Sequence, residues 1–184
     1  MGKTLTAMRK NFSPHKVPAL LAELCNYWDK HPVCFCGSFE IDEDRYETVK
    51  AWFKGNEAGW SRVKLFGVDG IHSLYGIWLY DGRASDDAPI VYLGGEGEGT
   101  TILASTWEEF LSILAANREW EPFDKKFFDA TDSNEKDNAT FRKWAKEKFG
   151  IVPAKSPMAI MKKAKKEHPD FHKWLASVKP GWGA

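Results

Sequence analysis

The sequence predicts an α+β fold, in which a meander of antiparallel strands is followed by an amphipathic helix. Three β-prone segments, residues 73–80, 88–93 and 101–104, are separated by turn residues. From Thr106 to Leu114 the large apolar residues recur instead at helical spacing. This change of period within one stretch places the centre of the fold here.

Turn and capping residues support these boundaries. Asp81-Gly82 follows the first strand, and the sequence GGEGEG at 94–99 connects the second strand to the third. Closely spaced glycines supply the positive φ angles that tight turns require. Thr106 and Glu109 have the spacing of a capping box at the start of the helix.

The segments before the meander alternate between helix and strand. Ser13-Pro14 is typical of a helix start, and the apolar stripe that follows extends to Trp28. Residues 33–39 are predicted as a short strand, residues 42–53 as a helix and residues 60–68 as another strand. We therefore expect one α+β domain over residues 1–117.

The chain changes character after Asn117. Residues 118–138 combine aromatic residues with a polar run and are predicted to be a linker. Residues 139–184 show three short helical patterns, with Gly150 suited to end the first and Ser156-Pro157 suited to begin the second. This C-terminal helical extension is expected to pack on or beside the first domain.

Charge limits the classes of function. The chain has 184 residues, of which 26 are basic and 26 acidic, so its formal net charge is zero. A general polyanion binder shows a basic excess, so nucleic acid is not the expected partner. Residues 121–184 carry 13 Lys and one Arg against nine acidic residues, a net charge of +5. The lysine run at 162–166 fits either the solvent face of a helix whose other face holds Met158 and Met161, which we favour, or a nucleic-acid contact.

Hydropathy and cysteine content predict the compartment. No apolar segment approaches the roughly 20 residues of a membrane helix, and no signal-peptide pattern is present. Cys25, Cys34 and Cys36 are too few, and odd in number, for a disulfide framework. These features predict a cytoplasmic protein without membrane contact.

The patterns typical of catalysis or cofactor binding each lack a required part. GGEGEG has neither the P-loop nor the dinucleotide-binding spacing, and its glutamates would repel phosphate. Cys34-x-Cys36 lacks the second cysteine pair of a structural zinc site. His72 lies beside Ser73, with Asp69 three residues away, but a catalytic triad is assembled in space rather than along the chain. We therefore expect no cofactor, no metal and no catalytic residue.

Acidic residues concentrate in and beside the loops of the meander. They are Asp81, Asp86, Asp87, Glu96 and Glu98. Exposed carboxylates of this kind are either solvated turn residues or a rim that attracts a basic protein. In the second interpretation, Trp78 or Tyr80 would supply the aromatic anchor of the binding surface.

The sequence PIVYLGGEGEGTTILASTWEEFLSILA resembles the SUKH superfamily, which includes fungal cell-wall-synthesis regulators and many bacterial immunity proteins. The similarity covers the strand 90–93, the acidic glycine turn 95–99, the strand ending at Ala104-Ser105 and a helix with Phe110-Leu111. The upstream sequence GIHSLYGIWL and the tail sequences FRKWAKEKFGI and HPDFHKWL are also similar to this family.

The resemblance implies an α+β fold with a mixed or antiparallel sheet and helices on one side of it. It also implies a function in binding, since many bacterial members resemble immunity proteins that neutralise a cognate toxin. The expected function is therefore non-enzymatic binding of a protein partner, with a basic toxin domain as the expected type. A regulatory scaffold, or a small hydrolase that uses His72 or the loop acids, are the alternatives.

Overall fold

The computed structural model describes residues 2–42, 46–95, 97–130 and 134–179. The helices in these ranges are α1 (Lys3–Phe12), α2 (Ala19–Trp28), α3 (Tyr46–Trp52), α4 (Glu57–Trp60), α5 (Trp107–Ala115), α6 (Glu135–Phe149), α7 (Pro157–Glu167) and α8 (Phe171–Val178). The strands are β1 (Glu40–Ile41), β2 (Val63–Val68), β3 (Leu74–Trp78), β4 (Ile90–Leu93), β5 (Thr101–Ala104), β6 (Arg118–Glu121) and β7 (Lys126–Asp129). A 3-10 turn, Ser85–Asp87, lies between β3 and β4. The predicted α+β class is confirmed.

The main sheet is an antiparallel meander. Its five described strands lie in the order β1-β2-β3-β4-β5, so each strand pairs with its neighbour in sequence. Leu74 pairs with Leu93, and Ile90 pairs with both Ile77 and Ala104. The predicted path of strand, turn, strand and helix over residues 73–115 is therefore observed.

Helices cover both faces of this sheet rather than the one face that the resemblance implied. One core lies under α1, α2, α5 and α6 and includes Phe66 and Tyr92; the other includes Leu65 and Leu93 with residues of α3 and α8. Every residue of β2, β3, β4 and β5 is buried. Strands buried throughout need apolar cover on both sides, which one layer of helices cannot provide.

The N-terminal region differs from its prediction at α1, at the start of α2 and over residues 33–39, and the short elements β1 and α4 were not predicted. The helix α1 was not predicted, and the helix expected from Ser13-Pro14 begins at Ala19. Residues 33–39 form no strand. Phe35 instead stacks on Phe141 of α6, with ring centroids 4.4 Å apart, because the apolar residues of this segment fill the core beside the sheet.

Residues 118–138 contain a β-hairpin, not the linker that their polar run predicts. Strands β6 and β7 pair from Arg118 with Asp129, whose side chains form a 2.9 Å ion pair, to Glu121 with Lys126. Trp120 is buried, and its Nε1 donates a hydrogen bond to a backbone carbonyl of the 94–99 turn at 3.1 Å. The hairpin is thus packed against the meander.

The three predicted C-terminal helices are present, with the predicted caps. Gly150 ends α6 at φ 71°, and the Ser156 hydroxyl accepts a hydrogen bond from the Ala159 amide at the start of α7. The helix α7 lies along β5, with Met161 in the first core and Ala164 in the second. No helix of the described residues is long and apolar enough to cross a membrane.

Candidate functional site

Loops that are distant in sequence meet at one end of the main sheet. Trp78 ends β3 opposite the start of β2, and Ile90 begins β4 opposite Ala104, the last residue of β5. The loop 79–89 and the junction from β5 to α5 therefore emerge at the same end. The C-terminal end of α7 reaches it too, since the Ser105 hydroxyl donates a hydrogen bond to the Glu167 carboxylate.

These segments surround an open cleft of about 680 Å³, here called the Asp86 cleft. It is lined by Ala19, Leu20, Arg83, Asp86, Asp87, Ser105, Thr106, Trp107, Glu108, Glu167 and His168. Among the described residues, four carboxylates and one guanidinium line the cleft, which gives it an acidic excess.

The acidic loop is held in place by contacts with the N-terminal region. The Asp86 carboxylate accepts a hydrogen bond from the backbone N–H of Ala19 at 2.7 Å, at the first turn of α2. The Ser85 hydroxyl donates to the Lys16 carbonyl at 2.5 Å. Asp87 is exposed, and its carboxylate has no hydrogen-bond or ion-pair partner among the described residues. Asp86 is therefore structural as well as acidic, whereas Asp87 is available to a ligand.

The start of α5 forms another wall of the cleft. The Thr106 hydroxyl accepts a hydrogen bond from the Glu109 amide at 3.2 Å, which confirms the predicted N-cap. Glu109 in turn accepts from the Ser105 amide and binds Lys163 of α7 at 2.7 Å. Glu108, in the first turn, is exposed and has no such partner in the described ranges.

A tyrosine–histidine pair lies beside the cleft, which His168 lines. The Tyr80 hydroxyl lies 2.5 Å from Nδ1 of His168, and the Arg83 guanidinium lies 4.7 Å from the Tyr80 ring centroid. Burial, followed by the charge of Arg83, lowers the pKa of His168, so the imidazole is neutral at neutral pH. Its Nε2 is sealed from solvent and has no hydrogen-bond partner among the described residues.

The structure separates the residues predicted to form one binding surface. Asp86 and Asp87 line the cleft; Asp81 is exposed in the same loop at φ 53° but does not line it. Tyr80 is half-buried beside His168. Glu98 lies past the far end of β4, at the opposite end of the sheet. Glu96 lies outside the described residues.

Trp78 is a correction to the prediction of an aromatic anchor. The side chain is 2 % exposed and belongs to the second core, where it stacks on Tyr80 at 4.1 Å and packs against Phe171 of α8. Its place on a strand with both faces covered explains the burial, and a residue in the core is not available to a partner.

Among the described lining residues, the ionisable ones that were not predicted as site residues are Arg83, Glu108, Glu167 and His168. The first two lie close in sequence to predicted features, so proximity to the loop and to the helix N-terminus was a usable signal. The last two come from the end of α7, and only the packing of α7 along β5 brings them to this end of the sheet.

The alternative site around His72 is a structural turn. The Asp69 carboxylate accepts hydrogen bonds from the amides of Ile71 and Ser73 and from the Tyr92 hydroxyl, the last at 3.0 Å. Burial raises the pKa of Asp69. His72 is exposed in this turn at φ 64°. The hydrogen bonds of Asp69 are thus used to form the turn rather than to orient a catalytic histidine.

The glycine-rich turn and the cysteines also have structural environments. Gly97 and Gly99 have φ angles of 110° and 60°, as the interpretation of 94–99 as a turn requires. Cys36 is buried, and Cys34 donates to Glu40 at 3.3 Å. Within the described ranges, no group of three or more His, Cys, Asp or Glu side chains is arranged to hold a metal ion.

The SUKH resemblance stays a prediction. Comparisons of the chain with models of known protein families, with curated proteins and with solved structures find no match.

Proposed function

We propose that this chain is a non-enzymatic protein-binding domain that holds a basic segment of a partner protein in the Asp86 cleft. The observation that carries the proposal is the cluster of four carboxylates around one open cleft, against one guanidinium, among the lining residues that the structure describes. Asp87 from the loop 79–89 and Glu108 from α5 are both exposed and line the cleft, so a lysine or arginine side chain entering it would meet carboxylates from two separate elements. Such complementarity increases the rate and the selectivity of association.

The hydrogen bonds that hold the walls of the cleft support a binding role. One wall is fixed by the bonds of Ser85 and Asp86 to the N-terminal region, and another by the N-cap of α5. A surface whose side chains are already positioned loses less conformational entropy when a partner binds. The carboxylates of Asp87 and Glu108 therefore project from supports that do not need to rearrange.

No catalytic role is proposed for the histidine of this cleft. A general base needs a ring nitrogen within reach of the substrate proton. In His168, Nδ1 is hydrogen-bonded to the Tyr80 hydroxyl and Nε2 is sealed from solvent. The His168 imidazole is instead a hydrogen-bond partner of the Tyr80 hydroxyl.

The biological role that we propose is that of an immunity protein, with a toxin domain carrying a basic surface as the partner. This step rests on the SUKH resemblance together with the acidic cleft. The regulatory scaffold remains the alternative, because binding without neutralisation needs the same surface.

A tetralysine peptide tests the binding surface without knowledge of the partner. Titration into the isotope-labelled protein, followed by NMR, should shift the amide signals of residues 83–87 and 105–108, and added salt should weaken the effect. Asp87→Lys should raise the Kd about threefold or more, since an exposed ion pair contributes up to about 1 kcal/mol. Glu98→Lys is the matched control at the other end of the sheet and should change the Kd little. Equal weakening by both substitutions would show that net charge, not the cleft, attracts the peptide.

A cellular experiment tests the proposed role. The protein encoded beside this chain should arrest growth when it is produced alone, and production of this chain should restore growth. The two proteins should also co-purify. A stable complex that leaves the arrest unchanged would support the scaffold, and growth without arrest would contradict the toxin proposal.

A further inference from the structure

A second cleft, of about 420 Å³, lies between α7, the start of β5 and the β6–β7 hairpin; we call it the Lys165 cleft. Its rim carries Lys125 from the hairpin turn, Lys162 and Lys165 from α7, and His172 from α8. Its lining also includes two methionines of α7, Met158 and Met161. Basic groups from three separate elements thus meet over a partly apolar floor.

The charge in this cleft is not balanced. No carboxylate of the residues that the structure describes contributes to its lining. Lys125, Lys162 and Lys165 form no ion pair with any carboxylate in the described part of the chain. Burial, followed by the charge of Lys125, lowers the pKa of Lys165, and burial followed by the charge of Lys165 lowers that of His172. Like charges held together at one concave place are unfavourable unless an anion joins them.

The lysine run of α7 is therefore divided between two surfaces. Lys163 faces α5, where it binds Glu109 at 2.7 Å and lies 3.7 Å from Glu167. Lys162 and Lys165, three residues apart and so on one face of the helix, line the cleft instead. The sequence favoured a solvent face on which all these lysines are equivalent. The structure instead separates Lys163, which is paired with carboxylates, from Lys162 and Lys165, which are not.

We propose that the Lys165 cleft binds a small phosphorylated ligand, with its phosphate between Lys125, Lys162 and Lys165. Ammonium groups form short, strong hydrogen bonds to phosphate oxygens. The cleft volume is within the range of small-molecule sites, which leaves room for an organic group against Met158 and Met161. A nucleic-acid backbone is the other source of phosphate, but it is usually tracked by an extended basic groove, whereas these cations form one compact cluster.

Calorimetric titration with AMP at constant ionic strength tests the proposal, with inorganic phosphate and adenosine as comparison ligands. AMP should bind saturably, phosphate more weakly and adenosine not measurably. The double variant Lys162→Gln/Lys165→Gln should raise the Kd for AMP at least tenfold, or about 1.4 kcal/mol. The control variant Lys166→Gln/Lys173→Gln removes the same charge from the same two-helix region outside the cleft and should change the Kd less than about twofold.

Three results would overturn the proposal. Equal loss of affinity in both double variants would show that only net charge is sensed. Equal binding of adenosine and AMP, or no saturation up to about 10 mM phosphate, would remove the phosphate site. Displacement of AMP by a single-stranded oligonucleotide, with an affinity that falls steeply with salt, would assign the cleft to nucleic acid instead. Thermal unfolding should show both variants folded, because the substituted lysines are exposed.

Discussion

Replacement of Asp86 by alanine should destabilise the fold, although the residue lies in an exposed loop. The helix α2 begins after Pro18, which offers no side-chain cap, and the Asp86 carboxylate accepts a hydrogen bond from the Ala19 amide across 67 residues of sequence. It therefore takes the place of an N-cap residue. Loss of an N-cap costs about 0.5–2 kcal/mol, so we expect Asp86→Ala to lower the free energy of unfolding by about 1 kcal/mol.

Urea denaturation followed by circular dichroism measures this effect. With a slope of about 2 kcal/mol per molar urea, the midpoint should fall by about 0.5 M. Asp86→Asn retains an acceptor oxygen and should lose less, because only the attraction of the charge to the helix N-terminus is removed. Asp87→Ala is the control and should stay within about 0.5 kcal/mol of wild type. If Asp86→Ala and Asp87→Ala lower the midpoint equally, the bond to α2 is not stabilising.

Three further substitutions or measurements probe the interior. Asn138 is fully buried and donates to two backbone carbonyls at 2.6 and 2.9 Å; Asn138→Ala should cost about 2–4 kcal/mol in a urea titration, against less than about 0.5 for exposed Thr140→Ala on the same helix. The pKa of His168 is lowered from 6.5, so the unfolded state binds more protons and the free energy of unfolding should fall as pH drops below about 6.5. His168→Gln should reduce this dependence of stability on pH in thermal melts between about pH 5 and 7.5. An unchanged dependence would contradict the lowered pKa of His168. Burial and a hydrogen bond to Glu40 raise the pKa of the Cys34 thiol to about 11, and burial raises the pKa of the Cys36 thiol further. Labelling with a thiol reagent at neutral pH should therefore be slow in the native protein, and Cys34 should react before Cys36 as pH rises. Rapid labelling of Cys36 would show that the core opens.

Much of the fold was predictable because its signals are local. The β-prone segments of the meander, the Thr106 cap, Gly150 and Ser156-Pro157 each depend on a few consecutive residues, and all are found where expected. The continuous apolar run at 90–93 is also the pattern of a strand buried on both faces, whereas the family resemblance implied helices on one side of the sheet only.

The remaining elements depend on contacts distant in sequence. The segment that contains Phe35 and Phe39 is predicted as a strand, but the two rings pack against one another and against α6 and the sheet. Tertiary packing therefore decides the conformation of this segment. The hairpin β6–β7 has short, polar strands, and its stability comes from Trp120 buried beside the meander rather than from its own pattern. The helix α1 had a usable apolar stripe but no side-chain cap to mark its start.

The candidate site was predictable only in part for the same reason. The acidic loop residues Asp86 and Asp87 were identifiable from their turn context. Their separation from Glu98 follows from the antiparallel path, which sends successive turns to opposite ends of the sheet. The contribution of α7, more than 70 residues later, requires knowledge of where that helix packs.

The position of α7 along β5 restricts how any partner recognises this protein. The last strand of a sheet normally offers unpaired backbone groups, to which another chain can add a strand with little regard for its sequence. Here Met161 and Ala164 anchor α7 in both cores beside that strand. A partner would have to displace a packed helix before it could extend the sheet there. Recognition on this side therefore has to use side-chain chemistry, which makes it selective and sensitive to single substitutions.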